Sequence, residues 1–296
     1  MSATSPASQT TRVTLKHIRF ISEPASLAAA SALSEAPGKV LMTFVDPFAC
    51  TAVVTEASPA EIETSDGAAS APDLAVLLVP EGTPDQAQWQ RKARQWVEAG
   101  DGPAPIRIVV DEDASILWRP GRAVIIAPAG AVEGLCTAVV DFAHYERQLR
   151  ALESEIAADW PLAEKHMPLV HAADKATLKK SGDLGIATLR AVTRRMRYAR
   201  LEPHLFQAPE AFRYLTRTAA RRLRTRTGVE SRLEAADAHI EVFEDLYDMA
   251  NQRTGEHFNF IREYRLEFAI LAVLGAELIL MVIDVYLNYM AYFHQE

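Results

Sequence analysis

Counted from Val229 in alternating steps of four and three, the chain reaches Leu233, Ala236, Ile240, Phe243, Tyr247, Ala250, Thr254, His257, Ile261, Tyr264 and Phe268. Nearly every position is apolar or aromatic. A period of 3.5 residues sustained this long draws one seam along a single helix. Nothing interrupts it before the greasy terminal segment, so the spacing predicts one continuous helix from stalk to end. Such a seam serves two arrangements: a coiled coil between copies, or a helix packed on the preceding helices of its own chain.

Residues 268–293 number 26, enough at ~1.5 Å per residue to cross a hydrocarbon layer of ~30 Å. The segment nevertheless carries Glu277, Asp284 and Asn288. An acid at mid-membrane costs about 3 kcal/mol on insertion scales, while each large apolar residue returns a few tenths. A lone span would be marginal. Positions 277, 281, 284 and 288 fall on one helical face, so the polar groups make one stripe and the other faces stay apolar. Such a stripe belongs against protein, which predicts self-association or docking on another membrane protein through Glu277, Asp284 and Asn288, with Glu267 at the entry. Arg253, Arg262 and Arg265 precede the span, and the positive-inside rule then keeps the bulk on the cytoplasmic or matrix side. Tyr286, Tyr289 and Tyr292 suit the far interface. The competing expectation is a soluble protein with this helix buried in its core.

Charge is spread unevenly. The net charge is −8, yet residues 190–226 hold eleven arginines against Glu202 and Glu210. That block is +9, and the remainder is −17. Arg190, Arg194 and Arg197 share one helical face, and Arg217, Arg221 and Arg224 another. Guanidinium groups grip phosphates with two hydrogen bonds, so RNA, a ribosome surface or anionic lipid would fit. Equally, residues 229–253 hold seven acids, among them Glu234, Asp237, Glu241, Glu244 and Asp248, and a basic helix folded on that stalk would satisfy both.

The amino-terminal part reads differently. TRVTLKHIRFI, KVLMTFV, TAVVTE, DLAVLLVP, IRIVV and RAVIIAP are short strand-like runs bounded by Gly, Pro and Asp. Between them, residues 86–98 put Trp89, Ala93 and Trp96 on one helical face, and residues 58–72 read as a surface loop. After Pro128 strand signals end. A long amphipathic helix is expected to about residue 160, then helices over 173–200 and 209–226, with Pro209 at the first helical position of the latter. The expected fold class is α+β, with a flexible tail at 1–11, a mixed α/β domain at 12–130, a helical domain at 131–227, a heptad stalk at 228–267 and a transmembrane helix at 268–293.

Catalytic signals are sparse. Cys50 and Cys136 form no disulfide framework and fit a reducing compartment. Cys136 sits in an apolar helical context and reads as core. His166, His171 and Asp174 match no standard zinc spacing. Asp111, Glu112 and Asp113 read as a turn. Asp141, His144 and Glu146 read as a polar helix surface. No catalytic residue, metal or cofactor is expected.

RLEFAILAVLGAELILMVIDVYL resembles the closing signature of the required-for-meiotic-nuclear-division family: Arg265, Leu266, Glu267 and Phe268 step into an apolar helix with Glu277 about ten residues on. SRLEAADAHIEVFEDLYDMA is similar to the family's helix before the anchor. GLCTAVVDFAHYERQL resembles an earlier helix ending in an aromatic–Glu pair, here Tyr145 and Glu146. The resemblance covers about residues 130–290. It implies a non-catalytic, membrane-anchored protein of a bacterial or mitochondrial inner membrane. It also implies a tendency to oligomerise and, through the family's mitochondrial member, a tie to organelle translation. A scaffold for a translation-linked or respiratory partner is therefore the expectation. A soluble enzyme or RNA-binding protein with a buried final helix is the alternative.

Overall fold

A computed structural model describes residues 12–22, 38–63, 72–99, 102–171 and 183–293. Seven strands form one mixed sheet: β1 (Thr14–Ser22), β2 (Lys39–Phe44), β3 (Cys50–Ala57), β4 (Leu74–Pro80), β5 (Ile106–Asp111), β6 (Ala114–Arg119) and β7 (Arg122–Ala127). The order across the sheet is β2-β3-β1-β4-β7-β6-β5. The β4–β7 pair is parallel, and every other pairing is antiparallel. The chain is thus α+β, as its run of strands followed by helices predicts. Six of the strands lie in the runs singled out above. The seventh, β6, was not anticipated: ASILWR follows the Asp111–Asp113 acids directly and reads as their continuation. Those acids do turn the chain, with the Glu112 amide donating to Asp111 Oδ1 at 3.0 Å.

Every residue of β4 is buried, because it sits mid-sheet with helices on both faces. On one face, helix α1 (Gln86–Glu98) lays Ala93, Trp96 and Val97 against Leu15, Ala75, Leu77, Val79 and Val124. Two arginines from the sheet close its far end. Arg119 donates to the carbonyls of Val97 (3.0 Å), Glu98 (2.8 Å) and Gly102 (2.7 Å), and Arg122 to that of Trp96 (2.7 Å). The Trp96, Val97 and Glu98 carbonyls belong to the last turn of α1, where a helix leaves carbonyls orphaned, and Gly102 lies just beyond it.

The long helix α2 (Ala129–His166) supplies the other face, where Phe142 meets Trp118 edge-on at 5.1 Å and Glu133 accepts a 2.7 Å ion pair from Lys16. A one-turn helix α3 (Pro168–His171), then α4 (Leu184–Phe206), α5 (Tyr214–Arg226) and α6 (Val229–Phe293) follow. Helix α5 starts later than expected. Pro209 lies in the preceding turn, its carbonyl accepting from the Phe212 amide, instead of opening the helix. Gly134 allows α2 to approach α5 closely: a Cβ there would stand 2.7 Å from Thr216 Oγ1. Gly134→Val is expected to cost about 1–3 kcal/mol by overpacking, read as a lower urea midpoint with an unchanged slope.

Contacts divide the chain into two compact units, 1–158 with 193–240, and 159–192 with 241–296. Helices α2, α4 and α6 each run from one into the other.

Helix α6 is a single unbroken helix of 65 residues, as the spacing predicts. Its seam changes character midway. Val229, Leu233, Ala236, Ile240, Phe243, Tyr247 and Ala250 are all buried within the chain itself. Helix α4 buries Leu184, Ala187, Ala191, Arg194, Tyr198, Leu201 and Leu205 at the same alternating steps. The covering contacts are identifiable: Trp160 of α2 against Phe243 (4.9 Å), His166 edge-on to Tyr247 (5.9 Å), and Asn251 donating to Thr188 Oγ1 of α4 (3.0 Å). Through Ala250, therefore, the chain's own helices occupy the seam. Thr254, His257 and Ile261 are half-buried, and Tyr264 and Phe268 are exposed.

Candidate functional site

Beyond residue 257 the described side chains of α6 face outward almost without exception. Leu271 is 66% exposed and Leu280 65%. Among the described residues one helix, α6, is long and apolar enough to cross a membrane, and none of its apolar window is buried. The core-helix expectation has no counterpart here. Glu267, Glu277 and Asp284 are exposed, and the unbroken helix keeps 277, 281, 284 and 288 on one face. The side chains of Asn288, Tyr286, Tyr289 and Tyr292 lie outside the described residues.

The structure breaks up the arginine block. Arg190 reaches Asp159 at 3.7 Å, Arg197 reaches Glu155 at 2.6 Å, and Arg200 reaches Asp46 at 2.5 Å. The Arg200 guanidinium holds the Asp46 carboxyl below its ordinary range. Arg195 pairs with Asp237, a stalk acid named above. Arg217 donates to the carbonyls of Glu210 (2.6 Å) and Phe212 (3.2 Å), Arg194 is 7% exposed, and Arg224 is turned inward to Asp141. Most of these acids come from α2 and the β2–β3 turn, with the stalk contributing Asp237. Of the six arginines assigned to an anionic surface, Arg221 is exposed and makes no ion pair among the described residues. With Arg222, Thr225, Arg226, Ile108 and Val109 it lines a cleft of about 250 Å3.

The residues read as a polar helix surface are the opposite. Asp141, His144, Tyr145 and Glu146 are 2%, 2%, 6% and 3% exposed. His144 stacks on Phe44 at 3.9 Å with rings 12° apart, and lies 5.4 Å from Phe20. Tyr145 stacks on His204 at 4.7 Å. Glu146 accepts from Arg150 and from Arg232 (3.1 Å), and Arg232 grips both oxygens of Glu153 (2.8 and 2.7 Å). Arg224 donates to Asp141 at 3.1 Å and to the His204 carbonyl at 3.1 Å. The layer thus ties α2 to β2, α4, α5 and α6.

Burial governs its protonation. Desolvation lifts the Asp141 carboxyl to about 6, against the opposing pull of Arg224. Desolvation lowers the His144 imidazole to about 4, and Arg147 adds to the effect. Burial raises Tyr145 and lowers Arg224.

Cys136 is fully buried and its thiol is pushed up to about 12 by desolvation, as a core residue's would be. His166 is buried against Tyr247, while the His171 side chain and Asp174 lie outside the described residues. Among the described residues no three His, Cys, Asp or Glu side chains gather into a metal site. The sequence matches no family model and no curated protein.

Proposed function

We propose that this chain is a membrane-anchored scaffold. The observation that carries the reading is the exposed apolar length of α6, which continues without a break from a helix packed into the body of the protein. An unburied window of this length is costly in water, at roughly 25 cal/mol per Å2 of apolar surface. Lipid relieves that cost. Glu277 and Asp284 on one face favour a helical partner in the membrane over a solitary span, and a second copy of the chain is the simplest one. Self-association then runs through the acid stripe, since the seam positions 229 to 250 are already filled within the chain itself. Arg253, Arg262 and Arg265 favour a body on the cytoplasmic or matrix side. The likeness to the required-for-meiotic-nuclear-division family in residues 130–290 supports a translation-linked or respiratory complex as the tethered partner.

Membrane fractionation of the chain with and without residues 268–296 tests this. The full chain is expected in the carbonate-resistant pellet and the shortened chain in the supernatant. Full chain recovered in the supernatant would end the anchor reading. Mass measurement in mild detergent tests the stripe: the wild type is expected as an oligomer, and Glu277→Leu with Asp284→Leu as a monomer that still fractionates with membranes.

A further inference from the structure

Three guanidinium groups line the cleft between β5 and the last turns of α5: Arg221, Arg222 and Arg226. Thr225 also lines it, its hydroxyl donating to the Arg221 carbonyl at 3.1 Å, Ile108 and Val109 make an apolar floor, and among the described residues no carboxylate lines it. Arg222 is held in place by donating one N–H to the Val109 carbonyl, which leaves its other donors available. Arg221 and Arg226 are exposed and have no recorded ion pair among the described residues. The carboxy end of α5 contributes only about half a negative charge, against three positive ones. Like charges gathered this closely repel, and a bound anion relieves them.

We propose that this cleft binds a single phosphate group, carried by free phosphate or by a small phosphorylated headgroup. Two observations favour one phosphate over a nucleic-acid backbone. The cleft, about 250 Å3, lies below the usual ~300–1,000 Å3 of drug-sized sites. Other arginines of the basic block are committed elsewhere: Arg197 to Glu155, Arg217 to backbone carbonyls, Arg224 to Asp141. The chain's net charge of −8 further opposes a long polyanion. Arginine suits the role because its planar fork matches two phosphate oxygens at once. The site lies in the sheet-bearing unit and does not depend on the anchor.

The test is calorimetric titration of the full chain in mild detergent with inorganic phosphate, glycerol 3-phosphate and a single-stranded RNA oligomer. Saturable phosphate binding is expected, weakened at least about tenfold in Arg221→Ala with Arg226→Ala. Neither side chain holds a structural contact, so the variant is expected to fold. Arg213→Ala, an exposed arginine outside the cleft, is expected to leave binding unchanged. Tighter binding of glycerol 3-phosphate would identify a headgroup as the source, and tighter binding of inorganic phosphate a free anion; either supports the site. Failure of both small anions to saturate, equal binding by the double variant, or RNA binding that phosphate does not displace would overturn it.

Discussion

Arg224→Ala is expected to cost about 3–5 kcal/mol, the largest loss of any single substitution considered for this chain. The side chains of Arg224 and Asp141 are 7% and 3% exposed. The carboxyl is already lifted to about 6 with its partner present, so burial outweighs the attraction even in the intact pair. Removing the guanidinium pushes the carboxyl up further, so the buried acid must take up a proton at pH 7, and the His204 carbonyl loses a donor. Replacing both members, Arg224→Leu with Asp141→Leu, should restore most of the loss, because the second change removes the buried polar group left without its partner. Urea unfolding in mild detergent at pH 7 gives both values. A loss under ~1 kcal/mol for Arg224→Ala would mean that solvent reaches Asp141, contrary to the packing described.

The second large effect is hidden in the wild type by compensation. Asp141 has a folded value of about 6 against 3.8 when unfolded, so its contribution is full below 3.8 and is lost as pH rises through 6. His144 has a folded value of about 4 against 6.5, so its contribution is full above 6.5 and is lost as pH falls through 4. The two windows nearly coincide and their slopes oppose. In each case the distance between the folded and unfolded values corresponds to about 3 kcal/mol. His144→Phe keeps the ring stack on Phe44 and removes the acid-side loss. Relative to wild type it should gain about 3 kcal/mol between pH 6.5 and pH 4. Asp141→Asn should move the other way, losing about as much relative to wild type from pH 6 to pH 3.8. Stability differences that stay flat with pH in both variants would show that neither group titrates inside the fold.

Much of the architecture was readable from local pattern. Six of seven strands, helix α1 and the unbroken course of α6 follow from alternation, turn residues and a 3.5-residue period, all of which act between near neighbours. Strand β6 escaped because ASILWR abuts an acidic turn and is recognisable chiefly through its pairing with β5 and β7. Pro209 escaped because the same residue suits a helix start and a turn. Arginine periodicity was legible, but its partners were not. Arg197 and Arg224 meet Glu155 and Asp141, which lie 42 and 83 positions away.

The covalent chain already determined that Val229–Phe293 form one helix, that its outer part is apolar, and that Glu277 and Asp284 share a face, since periodicity depends only on spacing. Folding decided who fills the seam, and filled it through Ala250 with the chain's own α2 and α4. It also decided that Asp141, His144 and Glu146 lie inside, and that Arg221, Arg222 and Arg226 share an open cleft. Those outcomes depend on which helices pack around a given face, and that is a property of long-range contacts that no window of neighbouring residues contains.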